Sequence, residues 1–174
     1  MAVTVTWIEF NESNGGPGSH VGSAATNINF GNTDSVNLSP ASYPIAAASN
    51  SFAKYLKVNV SGSYTQISNA KLYKSAGNYV TGESILFSGS VGWATPATTD
   101  TSDPAIATSL PGSNNICLPN LTTDTLPAAS EVESSPGYYS GSRTSLMRFQ
   151  AQTTSSTPAG AVNQKTFSIT YDRQ

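Results

Sequence analysis

The chain repeats one pattern that few folds tolerate: apolar residues at every second position, in short runs separated by turn residues. In SILFSGSVGW, Ile85, Phe87, Val91 and Trp93 share one face with Gly89, and Ser84, Ser88 and Ser90 take the other. A period of two belongs to a half-buried strand, because successive side chains of extended backbone point to opposite sides. VTVTWIEF sets Val3, Val5 and Trp7 against Ile8 and Phe10. FAKYLKVNV groups Phe52, Leu56, Val58 and Val60, with Lys57 and Asn59 outward. SLMRFQAQ groups Met147, Phe149 and Ala151, and KTFSITYD sets Phe167, Ile169 and Tyr171 against Thr166, Ser168, Thr170 and Asp172. NAKLYK is a shorter strand candidate, as are TNINFG and SVNLS. Only ASNSFAKYLK also fits a helical spacing, and the VNVSG that follows favours a strand.

Turn chemistry separates these runs. ESNGGPGSH, FGNTD, SAGN and STPAG carry the Gly, Asn and Pro that tight turns require. Several short strands so punctuated predict an all-β fold, an antiparallel β-sandwich of jelly-roll or immunoglobulin-like type. At 174 residues the chain is long enough for one such domain to bury a core without staples. Charged residues make up only 10 % of it, and Ser and Thr about a quarter, as expected for strands with polar outer faces.

Residues 96–142 break the pattern. Six of the ten prolines fall there, at Pro96, Pro104, Pro111, Pro119, Pro127 and Pro136. Proline cannot donate to a ladder, so central strands are excluded wherever it stands. The segment reads either as a surface excursion with edge strands such as AIATSL and NICLP, or as an arm that lies on a partner. On the second reading, trimming it should leave a folded protein that no longer assembles.

Catalytic constellations are hard to assemble from this sequence. The nearest carboxylate pairs, Glu9/Glu12, Asp100/Asp103 and Glu131/Glu133, sit in or beside polar segments that predict solvated side chains rather than a glycosidase pair. Cys117 is the single cysteine and His20 the single histidine, so no disulfide or multi-cysteine zinc site can form within the chain. His20 lies in a glycine-rich turn remote from any G-x-S-x-G elbow. GGPGSHVG has neither the lysine nor the following helix of a phosphate loop. Neither an enzyme nor a cofactor or metal site is expected.

Eight basic residues, single or in loose pairs such as Lys54/Lys57 and Lys71/Lys74, form no patch for nucleic acid. No apolar run reaches the length of a membrane span, and MAVTVTWIEF lacks the basic and apolar regions of a signal peptide. Those features predict a protein made in a cytoplasm, without nucleic acid or membrane as partners. Tyr79 in SAGNYVTG and Tyr138 and Tyr139 in GYYSG stand in Gly/Ser/Asn loops. Such tyrosines serve either as a binding surface or as packing over the rim of the sheets. Trp7, Val58, Phe87, Trp93, Phe149, Phe167, Ile169 and Tyr171 are the expected core. Segment ends usually fray, so a strand as well patterned as KTFSITYD should be held by pairing.

LKVNVSGSYTQISNAKLYKSAGNY, followed by PAGAVNQKTFSITYDRQ, resembles small structural proteins of tailed bacteriophages, over residues 52–94 and 143–174. What recurs there is a strand running into "sn-l-f-kS-G" and a closing "f-i-YD" strand. The resemblance implies a virion protein, a cement or decoration protein bound to the outside of the capsid. Its partners would be the major capsid protein and copies of itself, as trimers at local threefold positions. A tail-fibre, receptor- or carbohydrate-binding module is the alternative, with the loop tyrosines stacking on sugar rings. The proline-punctuated excursion has no counterpart in the resemblance.

Overall fold

The computed structural model describes residues 4–10, 23–25, 28–61, 66–91, 95–99, 116–117, 121–122, 146–160 and 164–173. Among them every regular element is a strand and every strand pair is antiparallel. The strands are β1 (Thr4–Phe10), β2 (Ser23–Ala25), β3 (Lys54–Ser61), β4 (Gln66–Ala76) and β5 (Ser84–Val91). They continue with β6 (Ile116–Cys117), β7 (Leu121–Thr122), β8 (Leu146–Gln152) and β9 (Thr166–Arg173). The fold is all-β, as the alternation predicts.

The larger sheet has the order β2-β1-β3-β8-β5. Trp7 stands opposite Val58 and Glu9 opposite Leu56, so these four positions share one face. Lys54 opposite Phe149, Leu56 opposite Met147, and Phe87 opposite Phe149 continue that face across β8 to β5. Aromatic rings run along it edge to face. Phe149 lies 5.1 Å from Phe87 and 6.3 Å from Trp7 between ring centroids, a preferred geometry for aromatic pairs.

The smaller sheet is organised on β4. β9 pairs with it from Ile67↔Arg173 to Ala76↔Thr166, with irregularities between Ser68 and Lys71 and between Lys74 and Ala76. Ile67 also pairs with Leu121, and Lys71 with Cys117. A strand has two edges, so β9 occupies one edge of β4 while β6 and β7 share the other.

One core cluster draws on both sheets. Leu56, Ile85, Phe87, Met147, Phe149 and Ala151 of the larger sheet join Leu72 of β4, which is fully buried. Trp7, Phe167, Ile169, Tyr171 and Tyr79 pack against it but remain partly exposed, short of the full burial expected for the first four. Phe167, Ile169 and Tyr171 stand on β9, whose only described neighbour is β4, and that location explains their exposure. Phe87 and Phe149 are buried as expected. Val58 has a described backbone only, and Trp93 lies outside the described residues.

Two expectations change. NAKLYK is the centre of the longest strand, eleven residues. TNINFG and SVNLS form no strand among their described residues. Asn37 adopts a left-handed φ of 51°, which breaks extension, and Asn29 Nδ2 donates to Leu38 O at 2.7 Å across the resulting turn. Ile28 and Phe30 nevertheless pack on the core. The 96–142 region carries edge strands, as one of its two expected readings has it. It supplies β6, within the NICLP expected as an edge strand, and β7. Ala97 O accepts from Ala53 N at 3.0 Å and from the buried Gln150 Nε2 at 3.1 Å. Trimming the whole region would therefore strip an edge of β4 as well as any assembly surface. AIATSL lies outside the described residues.

Gly77, at the end of β4, has a φ of +79°, and a Cβ there would sit 2.2 Å from Gln164 O and 2.9 Å from Lys165 Cα. Gly77→Ala should cost roughly 2 kcal/mol or more, combining a left-handed penalty with displaced backbone. A thermal melt should register this as a fall in Tm of about 4–8 °C.

Candidate functional site

Two charged clusters lie at or against the core, where hydrocarbon is the ordinary occupant. The first is on the inner face of the larger sheet. Glu9 and Lys54 are each 1 % exposed, and Lys54 Nζ donates to Glu9 Oε1 at 2.7 Å. Nζ also donates to Ser35 O at 2.5 Å, which ties the 28–50 segment to β3. Glu9 Oε2 is buried without a hydrogen bond. Burial pushes the Glu9 carboxyl above the usual range, the charge and hydrogen bond of Lys54 pull it back in part, and the Asp34 carboxylate pushes it up again.

Sequence reasoning missed this pair, although alternation held the signal. Glu9 has the parity of Trp7, and Lys54 the parity of Leu56 and Val58. A period-two reading therefore places both inward; the assumption that charge faces water overrode it. Glu9 is accordingly not the solvated carboxylate expected from its neighbours in sequence. Its expected partner Glu12, and the pairs Asp100/Asp103 and Glu131/Glu133, lie outside the described residues, as does His20.

The second cluster surrounds Tyr79. Lys74 Nζ lies 5.1 Å and Lys165 Nζ 5.8 Å from the ring centroid. Both distances suit a cation–π contact. Lys74 is buried and donates to Gly77 O. Lys165 holds both Glu83 oxygens, at 2.5 and 2.6 Å, and Glu83 Oε2 accepts from Val80 N at 3.0 Å. The cluster thus joins the end of β4, the turn into β5 and the entry to β9. Tyr79 is therefore half-buried, packed against the core. Tyr138 and Tyr139 lie outside the described residues.

Burial of the Tyr79 hydroxyl, which has no well-formed hydrogen bond, pushes its pKa up to about 12; the Ile85 backbone offsets part of this and the Glu83 carboxylate adds to it. A raised pKa means that the unfolded chain releases this proton first. The Tyr79 contribution is therefore fully present below the ordinary value of 10.0 and is lost as pH rises from there through about 12. Tyr79→Phe should flatten that alkaline loss of stability, and tyrosinate absorbance should show Tyr79 ionising after unburied tyrosines.

A third polar feature lies outward on the smaller sheet. Ser75 Oγ and Ser168 Oγ are 2.7 Å apart and exposed, and Ser75 Oγ also donates to Thr166 O at 3.2 Å. These hydroxyls tie β4 to β9 and offer a wet polar face. Among the described residues no three His, Cys, Asp or Glu side chains gather as a metal site, and no helix is long and apolar enough to cross a membrane. Comparison with protein-family models, with curated proteins and with solved structures finds no match.

Proposed function

We propose that the two sheets close on one another as a β-sandwich, jelly-roll or immunoglobulin-like, forming a single domain. We further propose that the chain is a non-enzymatic structural protein of a tailed-bacteriophage virion, bound to the outside of the capsid as a cement. The observation that carries this reading is the β4–β9 ladder. The two stretches that resemble phage structural proteins, about a hundred residues apart in the sequence, are direct hydrogen-bonding partners from Ile67↔Arg173 to Ala76↔Thr166. They behave as one structural unit, as they should if the resemblance is to a shared sheet.

The buried chemistry fits the same reading. Glu9 and Glu83 each hold a lysine and fasten one part of the fold to another. A protein that works by remaining folded and attached uses its polar groups in this way, and exposed hydroxyls such as Ser75 and Ser168 suit broad wet contacts multiplied over many copies. The partners are then the major capsid protein and further copies of the chain, as a trimer, on a virion assembled in a host cytoplasm.

Mass spectrometry of purified particles tests the proposal. A copy number comparable with that of the major capsid protein supports cement, and a far smaller one assigns the chain to the tail. Glycan binding that disappears with Tyr138→Ala and Tyr139→Ala would replace the cement reading with an adhesin.

A further inference from the structure

The inner face of the larger sheet brings an amine and a carboxyl group into contact where both are sealed from water. Lys54 Nζ and Glu9 Oε1 are 2.7 Å apart, on side chains each 1 % exposed. Their strands are paired directly, with Glu9 opposite Leu56 and Phe10 opposite Tyr55. That pairing fixes the two backbones, so the side chains meet on one face of the ladder. As an ion pair the arrangement is incomplete, because Glu9 Oε2 is buried and accepts no hydrogen bond. Two buried charges are repaid only when their remaining hydrogen-bonding capacity is met.

We propose that Lys54 and Glu9 condense into an intramolecular amide, an isopeptide cross-link between β1 and β3. The lysine ammonium first passes a proton to the carboxylate, giving a neutral amine and a neutral acid. The Nζ lone pair then attacks Cδ, forming the N–C bond and a tetrahedral centre. A second proton moves from nitrogen to Oε2, the proton first taken up at Oε1 passes to the same oxygen as the Oε1 carbonyl forms, the C–Oε2 bond breaks, and Oε2 leaves as water. One ammonium and one carboxylate are consumed, one amide and one water are formed, and no oxidant or reductant is required.

The site suits each stage. The raised proton affinity of Glu9 favours the neutral pair. The Asp34 carboxylate, close enough to act on Glu9 and adjacent in sequence to Ser35, can carry the second proton. Fixed geometry replaces a collision between free groups. The oxygen that leaves is the one without a hydrogen bond, so the reaction removes the unsatisfied atom. Ser35 O, which accepts from Nζ before condensation, retains the single N–H of the amide. A neutral amide also avoids the desolvation cost of two buried charges.

The test uses the full chain, folded and then denatured for intact mass measurement. The expected mass is lower than that of the sequence by one water. Proteolysis should yield a branched peptide joining residues 9 and 54, with tryptic cleavage after Lys54 lost. Glu9→Ala and Lys54→Arg should restore the full sequence mass. Because either change can impair folding, Asp34→Asn serves as the second variant. It should keep the wild-type circular dichroism while losing water more slowly. A folded wild-type chain that retains its full mass after prolonged incubation overturns the proposal, and so does water loss that maps elsewhere, including to an Asp34–Lys54 link. Condensation of Asp34→Asn at the wild-type rate would remove Asp34 from the mechanism.

Discussion

A chain truncated before residue 166 is expected to lose its cooperative unfolding transition. β9 covers one edge of β4 along nearly its whole length and brings Phe167, Ile169 and Tyr171 against the core. Fully buried, side chains of this size contribute about 1.5–3 kcal/mol each; discounted for partial exposure, the three together supply roughly 3–7 kcal/mol. The total stability of a domain is about 5–15 kcal/mol. Truncation also removes the Lys165–Glu83 cluster's neighbour strand and leaves β4 with an uncovered edge, a template for aggregation. Leu72, opposite Ile169 and fully buried, offers a milder version: Leu72→Ala should cost about 2–5 kcal/mol. A truncated chain that melts cooperatively at the wild-type temperature would contradict the role assigned to β9.

Lys54→Met should produce the second large effect, a loss of about 3–5 kcal/mol, because it strands the Glu9 carboxyl on the inner face beside Trp7. Urea denaturation should show a lowered midpoint, and a slope that rises with it marks loss of the Lys54–Glu9 cross-link from the unfolded chain. Adding Glu9→Leu on that background removes the stranded carboxyl and should recover part of the loss. No recovery would mean that the cost arises from something other than the buried carboxyl.

Much of this architecture was legible in the sequence, and what was not has identifiable causes. KTFSITYD read as a strand because its apolar residues alternate without interruption, and SILFSGSV read as one although Leu86, itself buried, breaks its alternation. β4 was underestimated because QISNAKLYKSA mixes lysines, serines and an asparagine into its alternation, and one of those lysines, Lys74, is itself buried. Asn37 could not reveal in advance that SVNLS turns rather than extends. Which strands pair was beyond a local reading, since β3 with β8 and β4 with β9 are joined by packing across long separations. The Glu9–Lys54 pair was legible by parity alone. Tyr79 was placed in a loop correctly, but of its two flanking lysines only Lys74 lies near that loop, at the end of β4, and Lys165 comes from a distant strand entry.

The insertion of β8 between β3 and β5 has a consequence for how this protein is made. In the larger sheet, β5 has no described neighbour other than β8, and β4 in the smaller sheet waits for β9. On the ribosome, strands β1 to β5 must emerge and remain incomplete while the proline-rich stretch is translated, because residues 146–173 carry the pieces that join them. Folding dominated by such distant contacts is slow, and exposed strand edges are vulnerable during the wait. The polar residues of these strands, costly for building a core, are the kind that lower this hazard until residues 146–173 arrive.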